Sequence, residues 1–294
     1  MTRSYLYVPG DRPSALAKAH LRGADAIVVD LEDAVPPAGK AAARAAAAEF
    51  VADPPPGVRV FVRVNSDSLD EDIAAVVVGP GLAGIWVPKA DPDLLAAAGR
   101  ALTAAERRVG LTVGALTLVP LIETARGVLD VRQIAAGPRV LRLGIGEADL
   151  AGELGMQRDP GTGDLPDGFA AIRVQVVVAS AAAGITAPVG PVETALRDPA
   201  RLERTTRLLL RQGFRARSAI HPAQLETINS VFTPSPDEVD AARRVMEAMS
   251  RADAAGSGVA VDADGRFLDR AVVRAAAEVL SRVGSVQDPA DGRS

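Results

Sequence analysis

The charged side chains that could do chemistry in this 294-residue chain follow directly after short apolar runs. They are Asp30, Glu32, Asp33, Arg63, Lys89, Glu123, Glu147, Asp149 and His221. Carboxylates dominate the set, and because the chain has no cysteine they favour a hard, oxygen-ligated cation such as Mg²⁺ over zinc. An arginine presents two parallel donors to a carboxylate. A divalent cation beside an arginine is typical of a site for a 2-oxo or hydroxy acid, because the cation polarises a carbonyl and stabilises an enolate.

Single residues of this set also have structural interpretations. Asp33 and Glu147, each taken alone, fit a helix N-cap or a surface ion pair as well as a ligand. The segment Gly79–Gly84 matches G-x-G-x-x-G, but it precedes a predicted strand, so we interpret it as a turn and not as a phosphate-binding loop. The chemistry therefore depends on whether the fold brings the charged groups together.

The elements that must position these groups are short β-branched runs that alternate with Ala-rich amphipathic stretches. The predicted strands are Tyr5–Pro9, Ala26–Leu31, Arg59–Val64, Gly84–Pro88, Leu116–Ile122, Val140–Ile145, Thr186–Val189 and Ser218–Ile220. Nearly continuous apolar strands indicate burial on both faces, as in parallel sheets covered by helices. Eight strand–helix units in about 220 residues predict a (β/α)8 TIM barrel, with a doubly wound open sheet as the alternative. In a barrel, groups that end the strands meet at one mouth.

The sequence after the eighth strand predicts a separate C-terminal helical extension. We expect residues 1–232 to form the catalytic barrel domain and residues 233–294 to form an extension that packs on the barrel or on a neighbouring subunit. Helices are predicted at Asp237–Arg251 and Asp269–Arg282, with a short strand at Val259–Val261 and disorder at Gln287–Ser294.

Composition excludes several classes of function. The chain has 37 acidic and 33 basic residues, a net charge of −4, which argues against a protein that grips nucleic acid. The absence of cysteine removes disulfides, thiolate metal sites and cysteine nucleophiles. The longest uncharged stretch, Val174–Val192, is broken by glycines and prolines and does not predict a membrane span. With no signal-peptide pattern at the N-terminus, we expect a cytoplasmic protein that binds no membrane.

Eight segments in order carry a family resemblance. They are RSYLYVPGDRP (3–13), GADAIVVDLEDAVPPAGKAAAR (23–44), VRVNS (62–66), VPKA (87–90), PLIETARGV (120–128), LGIGEADLAGELG (143–155), AIHPAQ (219–224) and FLDRAVVRAA (267–276). Over almost its whole length the chain resembles the CitE-like branch of the HpcH/HpaI aldolase and citrate lyase β-subunit family. The resemblance implies a Mg²⁺-dependent barrel lyase that cleaves or forms a carbon–carbon bond in a hydroxy-acyl-CoA thioester, such as citryl-CoA, malyl-CoA or citramalyl-CoA. The products of cleavage are a 2-oxo acid and an acyl-CoA.

The resemblance also implies roles for individual residues. Glu123 and Asp149 match the family's metal ligands, and Arg63 matches the arginine that binds the substrate carboxylate. Other residues are expected to bind the substrate or order its surroundings: Asp30, Glu32, Asp33 and Glu147. We expect the CoA phosphates to contact Arg12, Lys18 and Lys40.

In some family members an aspartate of the tail enters the neighbouring subunit's site as an acid or base. Asp269 is the corresponding residue, and it fits an N-cap of the last helix equally well. By family analogy we expect a homotrimer. The chain departs from the family pattern at Gln175, Ala181 and Arg217, which are positions expected to bear on CoA handling and acyl choice. It also departs at Ala271, two residues after Asp269.

Two alternatives to the lyase follow from the same residues. One keeps the site but ends in thioester hydrolysis, as in a malyl-CoA thioesterase or a malate-synthase-like condensing enzyme. The other is a catalytically silent CoA-binding subunit. The presence of Arg63, Glu123 and Asp149 together speaks against the silent subunit.

Overall fold

A computed structural model describes residues 1–254, 260–261 and 267–284. The chain divides into two compact units, of which one is Thr2–Asn229 and the other begins at Ser230. We describe each unit by itself. None of the helices in the described ranges has the length and hydropathy needed to cross a membrane.

The first unit is built on eight parallel strands that close into a barrel. They are β1 (Ser4–Pro9), β2 (Ala26–Asp30), β3 (Arg59–Arg63), β4 (Leu82–Val87), β5 (Thr117–Ile122), β6 (Gly144–Ile145), β7 (Val189–Gly190) and β8 (Ala216–Ala219). Each strand pairs with the next, and β8 pairs with β1. The closed order confirms the predicted (β/α)8 barrel and excludes the open doubly wound sheet.

Helices connect consecutive strands around this barrel, and one more helix follows β8. They are α1 (Pro13–Ala19), α2 (Lys40–Ala52), α3 (Leu69–Val76), α4 (Pro92–Val109), α5 (Ala125–Leu129), α6 (Val131–Ala135), α7 (Glu147–Glu153), α8 (Phe169–Ala182), α9 (Pro199–Arg211) and α10 (Leu225–Phe232). The boundaries of α4 follow capping chemistry. Asp91 accepts the amide of Leu94 at 2.8 Å to start α4, and Gly110 ends that helix at a φ of 76°.

The barrel interior is filled by aromatic side chains from neighbouring strands. Tyr5 lies edge-on to Phe61 and Trp86, with ring centroids 5.6 and 5.2 Å apart. Gly144 makes room for the indole, because a Cβ at this position would lie 3.0 Å from the Trp86 ring. The interior is therefore a packed core, and open space remains only near the strand ends.

The second unit is helical, as predicted for the C-terminal extension. It contains α11 (Pro236–Ala254), α12 (Arg270–Gly284) and a two-stranded antiparallel sheet of β9 (Ala260–Val261) and β10 (Phe267–Leu268). α10 spans the division between the units. The predicted disorder at Gln287–Ser294 and the first residue of the predicted strand, Val259, lie outside the described residues.

Candidate active site

A cavity of about 420 Å³ opens at the carboxyl ends of the barrel strands. Its walls come from the residues that end β1, β2, β3, β5, β6, β7 and β8. Six of the predicted site residues line it: Asp30, Asp33, Arg63, Glu123, Glu147 and Asp149. Because the strands are parallel and closed, side chains far apart in sequence meet at this mouth.

Arg63 is the centre of a dense ion-pair network. The register of β2 and β3 places it opposite Asp30, whose two oxygens accept from Nε and Nη2 at 2.7 Å each. Nη1 lies 2.9 Å from Glu32 Oε2 and 3.2 Å from Asp33 Oδ2. The guanidinium carbon stands 5.0 Å from the centroid of the Tyr7 ring. These partners fix the guanidinium plane against the cavity wall.

Asp30 and Glu32 both form ion pairs with Arg63 at this wall of the cavity. Asp30 also accepts the amides of Glu32 and Ala34 at 3.0 and 3.1 Å, so it orders the turn after β2. Burial raises the pKa of Glu32 to about 7, although Arg63 opposes this shift. Burial lowers the pKa of Arg63, but its hydrogen bonds with Asp30 raise that pKa further, so the net shift is upward and the arginine stays charged.

Glu123 follows β5 and is buried at the floor of the cavity, where 3% of its surface is exposed. Its Oε1 accepts the amide of Lys89 at 2.7 Å. Lys89 has a φ of 48°, a left-handed conformation that is uncommon for a residue with a side chain. Burial raises the pKa of Glu123 to about 8, and the nearby carboxylates of Glu32 and Asp149 raise it further. Burial and the neighbouring carboxylates therefore favour the protonated form of Glu123 as long as no cation is bound beside it.

Gly146 makes the space in which the Glu123 carboxylate lies. A Cβ on Gly146 would stand 2.3 Å from Glu123 Oε2 and 2.6 Å from Glu123 Cβ. Asp149 follows in the first turn of α7 and lines the same cavity. Within the described residues, no hydrogen bond or ion pair engages the Asp149 carboxylate. One buried and one exposed carboxylate thus present oxygen atoms to the cavity.

These donors fit a magnesium ion. Mg²⁺ is bound in proteins through one or two carboxylates and keeps other positions for water and substrate. In the part of the chain that the structure describes, no three Asp, Glu or His side chains converge as a closed metal cage. Glu123 and Asp149 would therefore hold the ion with open positions, which is the arrangement that a catalytic metal needs.

Replacing Gly146 by alanine tests whether the space beside Gly146 is needed to position the Glu123 carboxylate for Mg²⁺. The backbone there has a φ of −103°, which alanine adopts without strain, and the three atoms nearest to the added Cβ all belong to Glu123. We expect Gly146→Ala to displace the carboxylate and weaken Mg²⁺ binding at least tenfold by calorimetry, an order-of-magnitude value for a misplaced ligand. Gly152→Ala, where a Cβ meets nothing within 4 Å, is the control and should bind Mg²⁺ normally. Equal Mg²⁺ affinity in both variants would contradict the assignment.

Glu147 faces the cavity but is already engaged. Its two oxygens accept from Arg173 Nε and Nη2 at 2.5 and 2.8 Å, and Glu147 is 5% exposed. Arg173 comes from α8 and was not predicted as a site residue, because one arginine in an Ala- and Val-rich helix gives no periodic signal. The pair lies between the main cavity and an adjoining side cavity of about 330 Å³.

The basic residues expected at the CoA phosphates lie apart from the main cavity. Arg12 and Lys18 are exposed around α1 and do not line it. Lys40 donates from Nζ to the carbonyls of Leu31 and Glu32 and to Asn65 Oδ1, at 2.6 Å each. All three of its protons are thus used to brace the turn after β2, and we leave Lys40 out of the proposed CoA site.

Asp269 caps the last helix. Its Oδ1 accepts the amides of Ala271 and Val272 at 2.8 and 2.9 Å, so the capping interpretation describes its contacts in this chain. Its role as an acid or base stays a prediction. Among the departures from the family pattern, Gln175 and Ala181 are exposed on α8, whereas Arg217 is buried.

Three residues that sequence reasoning missed also line the cavity: Tyr7, Arg158 and Thr194. Tyr7 could have been found, because the alternation Tyr5, Tyr7, Pro9 along β1 places these side chains on one face. Burial raises the pKa of Tyr7 above its usual value, so the phenol stays neutral. Arg158 lies on a loop rich in Gly and Pro, where no periodicity indicates direction.

Comparison with known proteins agrees with this geometry. A model of the HpcH/HpaI aldolase/citrate lyase family matches residues 3–222. A (3S)-malyl-CoA thioesterase of Cereibacter sphaeroides is 35% identical over 285 residues, which cover 97% of this chain and 95% of the relative. A citrate lyase subunit beta of Leuconostoc mesenteroides is 33% identical, covering 95% and 92%.

The fold has a counterpart among solved structures. The crystal structure of CitE from Mycobacterium tuberculosis in complex with magnesium, acetoacetate and coenzyme A superposes with a TM-score of 0.76 at 26% identity. The match covers 96% of this chain and 98% of that one. The overall fold is therefore shared with a protein whose crystal structure contains magnesium, acetoacetate and coenzyme A.

Proposed function

The chain belongs to the HpcH/HpaI aldolase/citrate lyase family, and from this premise we propose that it is a Mg²⁺-dependent carbon–carbon lyase for a hydroxy-acyl-CoA thioester. One observation carries the proposal: the carboxylates of Glu123 and Asp149 and the guanidinium of Arg63 line a single cavity of about 420 Å³. Two carboxylates and an arginine together suit a cation and an anionic substrate.

Glu123 and Asp149 would hold the magnesium ion. When bound, the ion polarises the oxygen of the hydroxyl or 2-oxo group and stabilises negative charge that develops there. The chain's own residues prepare the site. The Lys89 amide fixes one oxygen of Glu123, and Gly146 leaves space for the other.

Arg63 would bind the carboxylate of the hydroxy acid. Its bonds to Asp30 hold the guanidinium in one orientation before substrate arrives, so little rotamer freedom is lost on binding. The Tyr7 ring packs against the guanidinium, and its neutral hydroxyl is a further donor in the cavity. Arg63 and Tyr7 would thus hold the substrate carboxylate in one orientation.

Cleavage of the carbon–carbon bond needs no co-reactant, because every atom and electron pair of the products comes from the substrate and one proton. The substrate hydroxyl loses its proton, the bond between the carbinol carbon and the adjacent CH₂ breaks, and its electron pair moves into the thioester as an enolate. The carbinol carbon becomes the carbonyl of the 2-oxo acid, and the enolate carbon takes up one proton to give the acyl-CoA. An acid placed near that carbon is needed for the last step.

We propose that Asp269 of a neighbouring subunit supplies this proton, as the resemblance implies. A matched pair of substitutions separates this role from capping. Asparagine and serine both cap helices well, so Asp269→Asn and Asp269→Ser should unfold within about 0.5 kcal/mol of wild type. If Asp269 is the acid, kcat falls about a hundredfold or more in both variants. Unchanged kcat in both would leave Asp269 as a cap only.

The experiment for the lyase is a panel assay of citryl-, malyl-, methylmalyl- and citramalyl-CoA with Mg²⁺ or with EDTA. We expect release of a 2-oxo acid from at least one thioester, and loss of that release in EDTA. No turnover of any thioester by protein that binds Mg²⁺ would contradict the lyase and favour the silent CoA-binding subunit.

A thioesterase is the second candidate, because a relative named (3S)-malyl-CoA thioesterase is 35% identical over 97% of this chain. It would use the same cavity, but water would take the acyl group and release the thiol of CoA. Measuring free thiol and 2-oxo acid in one reaction distinguishes the two activities.

A further inference from the structure

Six arginines line the main cavity and the side cavity, and one of them has no carboxylate partner in the described residues: Arg158. We propose that Arg158 determines substrate specificity by binding a second free carboxylate on the acyl group. This inference rests on the proposed function, because it concerns the acyl group at that same site.

The two cavities adjoin along a shared wall. Five residues line both: Glu147, Arg158, Pro191, Val192 and Thr194. A substrate branch that leaves the main cavity on this side therefore has about 330 Å³ of space to enter. Arg158 stands at this junction, whereas Asp164 and Asp167 line the side cavity only. An anionic branch is consequently expected at the junction and not deep in the side cavity.

The other four arginines of the side cavity pair with three carboxylates. Arg173 pairs with Glu147 at 2.5 Å, and Arg201 pairs with Asp164 at 2.8 Å. Two weaker pairs complete the set, Arg204 with Asp164 at 3.4 Å and Arg217 with Glu193 at 3.5 Å. In the main cavity, Arg63 is engaged by three carboxylates. Each of these five arginines therefore already has a carboxylate partner, and Arg63 is already assigned to the carboxylate next to the substrate hydroxyl.

Arg158 differs because its contact is with a carbonyl. Its Nη1 donates to the backbone oxygen of Gly163 at 3.1 Å. This bond orients the side chain without offsetting its charge. The remaining donors of the guanidinium suit the two oxygens of a carboxylate.

The loop that carries Arg158 is built to hold it. Asp159 Oδ1 accepts the amides of Gly161 and Thr162 at 2.9 and 2.7 Å, closing a tight turn. Arg201 is 7% exposed and donates to the carbonyls of Thr162 and Gly163, which fastens the turn to α9. The carbonyl oxygen of Gly163 thus accepts hydrogen bonds from both Arg158 and Arg201. These bonds hold the loop with Arg158 at the junction of the two cavities.

The charge balance points to the chemical class of the ligand. A hydroxy acid has one carboxylate next to its hydroxyl, and Arg63 with the cation site accounts for that group. Arg158 is left for a second carboxylate, one carbon further along a branch. Citryl-CoA and citramalyl-CoA are the matched probes, because citryl-CoA bears a CH₂COO⁻ group where citramalyl-CoA bears a CH₃ group.

Steady-state kinetics of Arg158→Gln on the two thioesters provide the test. We expect kcat/KM for citryl-CoA to fall about tenfold to a hundredfold, as for loss of a charged hydrogen bond, and kcat/KM for citramalyl-CoA to change less than threefold. Arg207→Gln is the matched control, because Arg207 is exposed on α9 and lines neither cavity, and it should leave both values unchanged. An equal loss on both thioesters in Arg158→Gln would assign Arg158 to the CoA phosphates and overturn the proposal.

Binding of the 2-oxo acids separates this inference from the proposed function. Oxaloacetate and pyruvate differ by the same carboxylate, and calorimetry with Mg²⁺ present measures their Kd without turnover. We expect Arg158→Gln to raise the Kd of oxaloacetate about tenfold and to leave that of pyruvate within twofold. An unchanged Kd for oxaloacetate would overturn the role of Arg158 even if the lyase is active. If Arg158→Gln shifts the Kd for oxaloacetate alone and no thioester is cleaved, the role of Arg158 stands and the lyase fails.

Discussion

Replacing Glu123 by glutamine is expected to lower kcat/KM about a thousandfold or more while the protein stays folded. Glutamine keeps the oxygen that accepts from the Lys89 amide, so the change removes charge and little else. Loss of one of two carboxylate ligands removes several kcal/mol of transition-state stabilisation, and about 1.4 kcal/mol corresponds to each tenfold in rate. The measurement is steady-state turnover with Mg²⁺ varied to saturation, together with calorimetric titration of Mg²⁺.

The stability of this variant gives an independent readout. The folded state holds the Glu123 carboxyl in a site that disfavours its ionised form, since its pKa is raised to about 8. Above the ordinary pKa of a glutamate, ionisation therefore favours the unfolded chain. We expect the metal-free glutamine variant to resist denaturant at least as well as wild type. Glu153→Gln, at an exposed glutamate of α7, is the control and should keep full activity. Comparable Mg²⁺ affinity in wild type and Glu123→Gln would rule out Glu123 as a ligand.

Replacing Arg63 by lysine is expected to lower kcat/KM about a hundredfold to a thousandfold. Lysine keeps the charge, but it cannot bind both oxygens of Asp30 while it also contacts Glu32. Substrate would then meet a mobile ammonium in place of a fixed guanidinium, so the loss should fall on both KM and kcat. We also expect the free energy of unfolding to fall by about 1 to 3 kcal/mol, because Asp30 loses a partner in a largely buried site.

Arg59→Lys is the matched control for this substitution. Arg59 begins the same strand that Arg63 ends, and it is exposed at the opposite end of the barrel. Its replacement should leave kinetics and stability close to wild type. If Arg63→Lys retained more than a third of wild-type kcat/KM, Arg63 would not be the group that binds the substrate carboxylate.

The sequence carries most of the information about the barrel. Apolar runs such as Ala26–Leu31 are buried on both faces, so their composition alone indicates parallel strands under helices. Prediction was weakest where regular structure is shortest. The predicted strand Val140–Ile145 is reduced to Gly144–Ile145 plus a single bridge at Val140, and α7 was not predicted. Strands of two residues and helices of about two turns leave too few residues for a period to be read.

The site was predictable to the extent that it depends on strand ends. Glu123 and Arg63 directly follow or end their strands, so the barrel geometry alone brings them together. Roles that depend on side-chain pairing were not predictable. Lys40 was expected at a phosphate but bonds to carbonyls of the chain, and Glu147 pairs with Arg173. Such choices are set by which partner lies within hydrogen-bond distance, and a single sequence does not record distances.

The most direct test of the lyase is a quenched time course of the wild-type protein with Mg²⁺ and the thioester of the panel that it consumes fastest. The 2-oxo acid, the acyl-CoA and the free CoA thiol are measured in each sample. A lyase predicts equal amounts of 2-oxo acid and acyl-CoA, negligible free thiol, and loss of both products in EDTA. Release of free thiol without a 2-oxo acid would contradict cleavage of the carbon–carbon bond and identify a thioesterase instead.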